Sequence, residues 1–198
     1  MVKTKYRSNT YIPELVQATK KLAKSNGFEH SCSDEAGRLL AVLVGQVAKG
    51  KILEIGTGFG VGSSWILSAI SQAVQFISVD YSKEKIDIVA NSINHSQVEF
   101  VYGDWKDVIP KGPFQFIFAD AQAAKVTEAQ VLIDTLNVGG MIFMDDFTPE
   151  EHFPDEWKGK PDKVREFWLN HQELIVTEIY LTPKTSAILA TKIKPHGN

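Results

Sequence analysis

Short apolar runs bounded by turn residues alternate along the chain with longer stretches in which apolar side chains recur every third or fourth residue. That alternation predicts strands separated by amphipathic helices. The strand-length runs are 51–55, 75–80, 98–102, 114–120, 140–145, 174–181 and 186–192, and the helical stretches are 13–25, 34–47, 63–71, 83–94, 127–137 and 162–170. Pro13 suits a first helical position, and Ser33 and Ser82 are placed to cap the helices that follow them. Such a succession implies an α/β fold, a mostly parallel sheet with helices on both faces. The C-terminal end departs from it, because only Thr182-Pro183-Lys184-Thr185 separates the last two strands. A parallel pair needs a crossover of a dozen or so residues, so the last strand is predicted to run antiparallel and complete a seven-stranded sheet.

Length and composition narrow the organisation. The 198 residues fit one large α/β unit, so 1–198 is expected to be a single domain, with 1–30 as a helical N-terminal extension. Hydrophobic residues at 43% and aromatics at 10% supply a core. No apolar run approaches the ~18 residues of a membrane span, and the opening MVKTKYRSNT lacks an apolar signal core, so a cytoplasmic protein with no membrane partner is expected. A single cysteine, Cys32, excludes an internal disulfide and a cysteine-based zinc cluster. The net charge of −3 and the lack of a long Lys/Arg block argue against nucleic acid as a partner and leave a small molecule as the default.

The candidate chemistry starts at Ile52-Leu53-Glu54-Ile55-Gly56-Thr57-Gly58-Phe59-Gly60-Val61-Gly62, a strand running into a loop with glycine at every second position. Glycine lets a ligand lie against the main chain, and the helix beyond aims unpaired N–H groups at it. Dinucleotide folds favour G-x-G-x-x-G, whereas here the third glycine comes one residue early and Glu54 precedes the first. An acid there repels a pyrophosphate and suits a cationic ligand. In open α/β sheets ligands sit at the carboxyl ends of the strands, and those ends present Asp80-Tyr81, Gly103-Asp104-Trp105, Asp120 and Asp145-Asp146. Asp80 suits the hydroxyls of a ribose. Sequential order of the fourth and fifth strands would bring Asp120, Asp145 and Asp146 together, where three carboxylates repel unless protons or a cation intervene. A hard divalent ion, Mg²⁺ or Ca²⁺, fits such oxygen ligands; the alternative is that these aspartates cap loops.

The glycine run resembles motif I of class I S-adenosylmethionine (SAM) methyltransferases, and the chain between about Ser31 and Asp146 is similar to the cation-dependent O-methyltransferases that include the catechol and caffeoyl-coenzyme A enzymes. The likeness rests on S-D-E-A-G-R-L-L (33–40), L-E-I-G-T-G-F-G (53–60), G-D-W-K-D-V-I-P (103–110), F-A-D-A (118–121) and M-D-D (144–146). The resemblance implies a Rossmann-like methyltransferase fold. It implies a SAM site formed by Glu54, Gly56, Thr57, Gly58, Gly60, Ser63, Asp80, Tyr81, Gly103, Asp104, Trp105 and Asp120, and a metal held by Asp120, Asp145 and Asp146. Methyl transfer to a hydroxyl of a small molecule is the implied activity, with Asp120 and Lys125 as catalytic candidates. Two departures stand out: the family's Asp-Asn pair is Asp145-Asp146, and its D-x-x-K is stretched so that Lys125 lies five residues beyond Asp120. A metal-independent methyltransferase, a nicotinamide-dependent oxidoreductase and a SAM-binding protein without catalysis remain as alternatives. The segment 148–160, with His152 and Trp157, is the candidate specificity loop. Residues 1–30, with Tyr6, Tyr11 and Phe28, fit either a helical lid or a homodimer contact.

Overall fold

A computed structural model describes residues 11–194; the first ten residues, Tyr6 among them, and the last four, including His196, lie outside the described residues. Seven strands form one sheet: β1 (Gly50–Ile55), β2 (Val74–Asp80), β3 (Val98–Tyr102), β4 (Phe114–Ala119), β5 (Leu136–Phe147), β6 (Leu174–Thr182) and β7 (Thr185–Lys192). Their spatial order is β3-β2-β1-β4-β5-β7-β6. The first five are parallel neighbours, and β7 is antiparallel to both β5 and β6. The short turn after Thr182 therefore does what its length demands, folding a hairpin and inserting the last strand between β5 and β6.

Helices cover both faces, as successive strand residues pointing to opposite sides require. On one face α1 (Glu14–Ser25), α2 (Asp34–Val44), α3 (Val61–Leu67) and α4 (Lys83–Ser92) pack on Ile52, Phe76, Phe116 and Phe118. On the other, α5 (Gln122–Val126), α6 (Ala129–Thr135) and α7 (Lys163–Leu169), with the 3₁₀ helix Trp105–Lys111, pack on Leu53, Ile77, Ile117 and Ile142. Trp168 of α7 is fully buried, and its indole N–H donates to the Lys125 carbonyl at 2.8 Å, tying α7 to α5. Each such large side chain contributes ~1.5–3 kcal/mol on burial. Ser33 and Ser82 cap α2 and α4 by accepting from the Ala36 and Lys85 amides.

Three elements differ from the sequence expectation. The helix expected over 63–71 starts at Val61, because Gly60 turns the chain with φ 79°, and ends at Leu67, where the hydroxyls of Ser68 and Ser71 bond the Trp65 and Ala48 carbonyls. The helix expected over 127–137 is the shorter α6, and a further short helix, α5, precedes it where none was expected. β5 begins at Leu136 rather than Gly140, since Leu136 pairs with Phe114 before a bulge around Gly139 restores register at Met141. No helix among the described residues is long and apolar enough to cross a membrane.

Candidate functional site

The site lies at the carboxyl ends of β1, β2, β4 and β5. Beyond Ile55 the chain turns through Gly56, Gly58 and Gly60, all in the left-handed region. The Gly56 amide donates to the Val79 carbonyl at 2.9 Å, and the Gly58 amide to Asp80 Oδ2 at 2.9 Å. The other Asp80 oxygen accepts from the Ser82 amide at 2.8 Å. Asp80 thus fixes the glycine loop against the start of α4. Gly62 serves a different need: a Cβ there would stand 2.4 Å from Glu54 Oε1 and 2.9 Å from the Phe118 ring, so only glycine lets α3 lie this close to the sheet.

Glu54 is wholly buried beneath α3, in register with Ser78 on β2. Its Oε2 accepts from the hydroxyls of Ser63 and Ser78, and Ser78 also meets Thr57 Oγ1 at 2.6 Å. Its Oε1 has no partner. Burial pushes the Glu54 carboxyl up to about 8, against the pull of the two serine hydroxyls.

Two cavities flank the glycine loop. One of about 510 Å³ is lined by Gly56, Thr57, Gly58, Asp80, Tyr81, Asp120, Asp145 and Asp146. A smaller one of about 360 Å³ shares Gly56, Asp80 and Tyr81 and adds Gly103, Asp104 and Trp105. Of the residues expected at a cofactor, Glu54, Gly60 and Ser63 line neither and stand behind the loop. Asp104 accepts from the Lys106 amide at 2.9 Å, which holds its carboxyl below the ordinary range, and Lys106 bridges it to Glu128.

The carboxylate cluster forms where β4 and β5 end side by side. Asp120 and Asp145 both stand on the wall of the first cavity, and their carboxyls influence each other. Burial raises both carboxyls, Asp145 raises Asp120 further, and Lys125 opposes the shift at each. Asp145 is buried and its Oδ1 has no partner. Asp146 is exposed with φ 64°, a left-handed backbone rare outside glycine that sends the chain out of β5 into the loop. Lys125 Nζ donates to the Asp145 carbonyl at 2.9 Å and lies 5.7 Å from the Phe147 ring centroid. The structure therefore brings Lys125 to the aspartates despite its altered spacing. Among the described residues, no three or more His, Cys, Asp or Glu side chains are already grouped as metal ligands.

A third cavity, of about 640 Å³, opens on the far side of the aspartates, and Asp120 and Asp146 line it as well as the first. Its remaining wall includes Lys125, Phe147, Phe153, Trp157, Lys160 and Arg165. Sequence reasoning singled out Trp157 within its loop but missed Lys163 and Arg165 of α7 here. It also missed Ser31, Lys85 and the hairpin residues Leu181 and Thr185 at the first cavity. No local motif marks these positions. They meet only through the packing of α2, α4, α7 and the β6–β7 hairpin.

Residues 53–147 match a family model described as a methyltransferase domain. Catechol O-methyltransferase of Niastella koreensis is 29% identical over 124 residues, 58% of this chain and 56% of that one. Protein-L-isoaspartate O-methyltransferase of Shewanella denitrificans is 31% identical over 100 residues, 50% of this chain and 46% of that one. The chain spans about half the length of these curated relatives. Over 94% of this chain and 95% of the other, the fold superposes on an O-methyltransferase from Bacillus cereus solved in complex with SAH, with a TM-score of 0.79 at 22% identity. The strand order and this superposition show that the chain has the fold of these O-methyltransferase structures, and the methyltransferase-domain match falls on residues 53–147, the part that carries the glycine loop and the aspartates.

Proposed function

We propose that the protein is a SAM-dependent O-methyltransferase that transfers a methyl group to a hydroxyl of a small molecule. One observation carries the reading: Asp120 and Asp146 line both the cavity against the glycine loop and the cavity beyond it. A donor on the glycine side and an acceptor on the other would meet at these aspartates, and alignment of two reactants is most of what an activated sulfonium methyl requires. In this reading Gly56, Thr57, Gly58, Asp80 and Tyr81 hold the nucleoside and methionine parts of SAM, with Gly103, Asp104 and Trp105 around the adenine. Glu54, Gly60 and Ser63 support the loop from behind. The Ser31 hydroxyl, buried and unpartnered on the first cavity's wall, suits a polar group of the cofactor.

The donor chemistry of the cluster fits a hard divalent ion. Asp145 Oδ1 is buried without a partner, and burial together with the neighbouring Asp145 charge disfavours an ionised Asp120, a repulsion that a cation would relieve. Asp120, Asp145 and Asp146 would hold Mg²⁺ or Ca²⁺, which supplies Lewis acidity toward adjacent hydroxyls when bound. Lys125, already within the cluster, would balance its charge as the ammonium or, as the free amine, take the proton from the acceptor. Lys125 also supports a metal-free variant of the same reaction, in which its free amine, or the Asp120 carboxylate, would take the proton.

Calorimetry with SAM and SAH, followed by SAM consumption over a panel of ortho-dihydroxy compounds with Mg²⁺ or with chelator, tests the reading. Micromolar binding and methylation of a panel member are expected, with chelation abolishing turnover. Absence of binding to both SAM and SAH overturns the function. Turnover unchanged by chelation selects the metal-free variant.

A further inference from the structure

The third cavity carries four cations, and their environments differ. Arg165 is fully engaged: its guanidinium bonds Glu178, Asp162 and the Thr148 carbonyl, and lies 5.3 Å from the Phe147 ring and 5.4 Å from the Phe153 ring. Lys125 is committed to the aspartate cluster. Lys160 and Lys163 line the same cavity, are exposed, and make no side-chain hydrogen bond or ion pair with the described residues. The loop before them is acidic, yet none of Glu150, Glu151, Asp155 or Glu156 lines the cavity. Asp162 does, but it is occupied by Arg165 and by the Val164 and Arg165 amides.

The same cavity has an aromatic wall formed by Phe147, Phe153 and Trp157. Phe153 and Trp157 meet edge to face at 5.7 Å, Arg165 steadies Phe147 and Phe153, and Trp157 keeps 51% of its surface exposed. A large half-exposed ring at a cavity, beside cations without partners, suits a flat apolar body with an anionic end. Resting on the reading that this cavity receives the methyl acceptor, we propose that the acceptor is an aromatic hydroxylated compound with a carboxylate remote from its reacting hydroxyl. Lys160 and Lys163 bind that carboxylate. The site favours a carboxylate over a phosphate. Lysines bind phosphates as well, but tight phosphate sites add helix-terminal amides or an open guanidinium fork, and here Asp162 occupies the Val164 and Arg165 amides while Arg165 is saturated.

The test compares kcat/KM for caffeate and its methyl ester, at saturating SAM, in the wild type, Lys160→Ala/Lys163→Ala and Lys160→Glu/Lys163→Glu, with SAH affinity as the check on folding. The wild type is expected to prefer the acid by about tenfold, the scale of two partly exposed ion pairs, and added salt to narrow the gap. The alanine pair brings the ratio toward one, and the glutamate pair inverts it. Equal kcat/KM for acid and ester in the wild type, or a preference for the acid that survives both double substitutions, overturns the proposal while leaving the methyltransferase reading intact. Methylation of neither probe by a protein that binds SAH removes the acceptor class altogether.

Discussion

The two sides of the site are built from different materials. The glycine-loop side is fixed by the main chain: the Gly56 amide on Val79, the Gly58 amide on Asp80 and the Asp80 carboxylate on the start of α4. The side beyond Asp120 is assembled from side chains of α5, the turn after β5, the loop that follows and α7, held by Trp168 and Arg165. A backbone-built pocket is bound to one ligand geometry. A pocket built of side chains on loops can be respecified residue by residue without touching the sheet, which is how one fold serves many acceptors.

The largest break in this comparison should come from Trp168→Ala. Loss of a fully buried indole and of its bond to Lys125 is expected to cost ~3–5 kcal/mol, read as a shift in the urea unfolding midpoint. Below its new melting temperature the variant should still bind SAH, because the glycine loop leans on β2 and α4 rather than α7. A parallel fall in SAH affinity would mean that the two sides are not separable. Gly62→Ala strikes the opposite side. Its Cβ has no room between Glu54 and Phe118, so a cost of about 1–3 kcal/mol and weaker SAH binding are expected, with the preference among acceptors unchanged.

Glu54→Gln sharpens the comparison with pH. The wild-type carboxyl titrates at about 8 in the folded chain against 4.5 when unperturbed, so the folded state holds the proton more tightly. The stability that this gives is full below 4.5 and is lost as pH rises through 8. Glutamine carries no titration, so the melting temperature of the variant minus that of the wild type should climb across this interval and level off above it. A flat difference would show that Glu54 is ionised in the folded protein. The smallest of the expected effects is the roughly tenfold change in acid preference at Lys160 and Lys163.

The ends of β1 to β5 were legible because each is a short apolar run closed by Gly or Asp, and the glycine loop because φ > 0 and close contact with the sheet leave few residues to choose from. The antiparallel β7 followed from a turn too short for a crossover. The short helix α5, ahead of the expected 127–137 helix, was not legible, nor was the early end of α6. The stretch 127–137 keeps helical spacing, but the anchoring of Lys125 to Trp168 and the early pairing of Leu136 with Phe114 are tertiary. Lys125 shows the same limit. Its spacing from Asp120 departs from D-x-x-K, yet a helix rises only ~1.5 Å per residue, so α5 keeps the two added residues within reach of the Asp145 carbonyl. Lys160, Lys163 and Arg165 read in sequence as an ordinary charged loop and helix start, and only tertiary packing puts them on one cavity with Asp120 and Asp146.

The most direct test of two ligand sites meeting at the aspartates is a single-turnover measurement of labelled methyl transfer from SAM to an ortho-dihydroxy aromatic. Wild type and Asp145→Ala should be run side by side, with the SAH dissociation constant of each measured on the same preparations. The account predicts that Asp145→Ala slows transfer by about 100-fold, roughly 2.7 kcal/mol, while the SAH constant stays within about threefold. Transfer at the wild-type rate, or a wild type that binds no SAH, would contradict it.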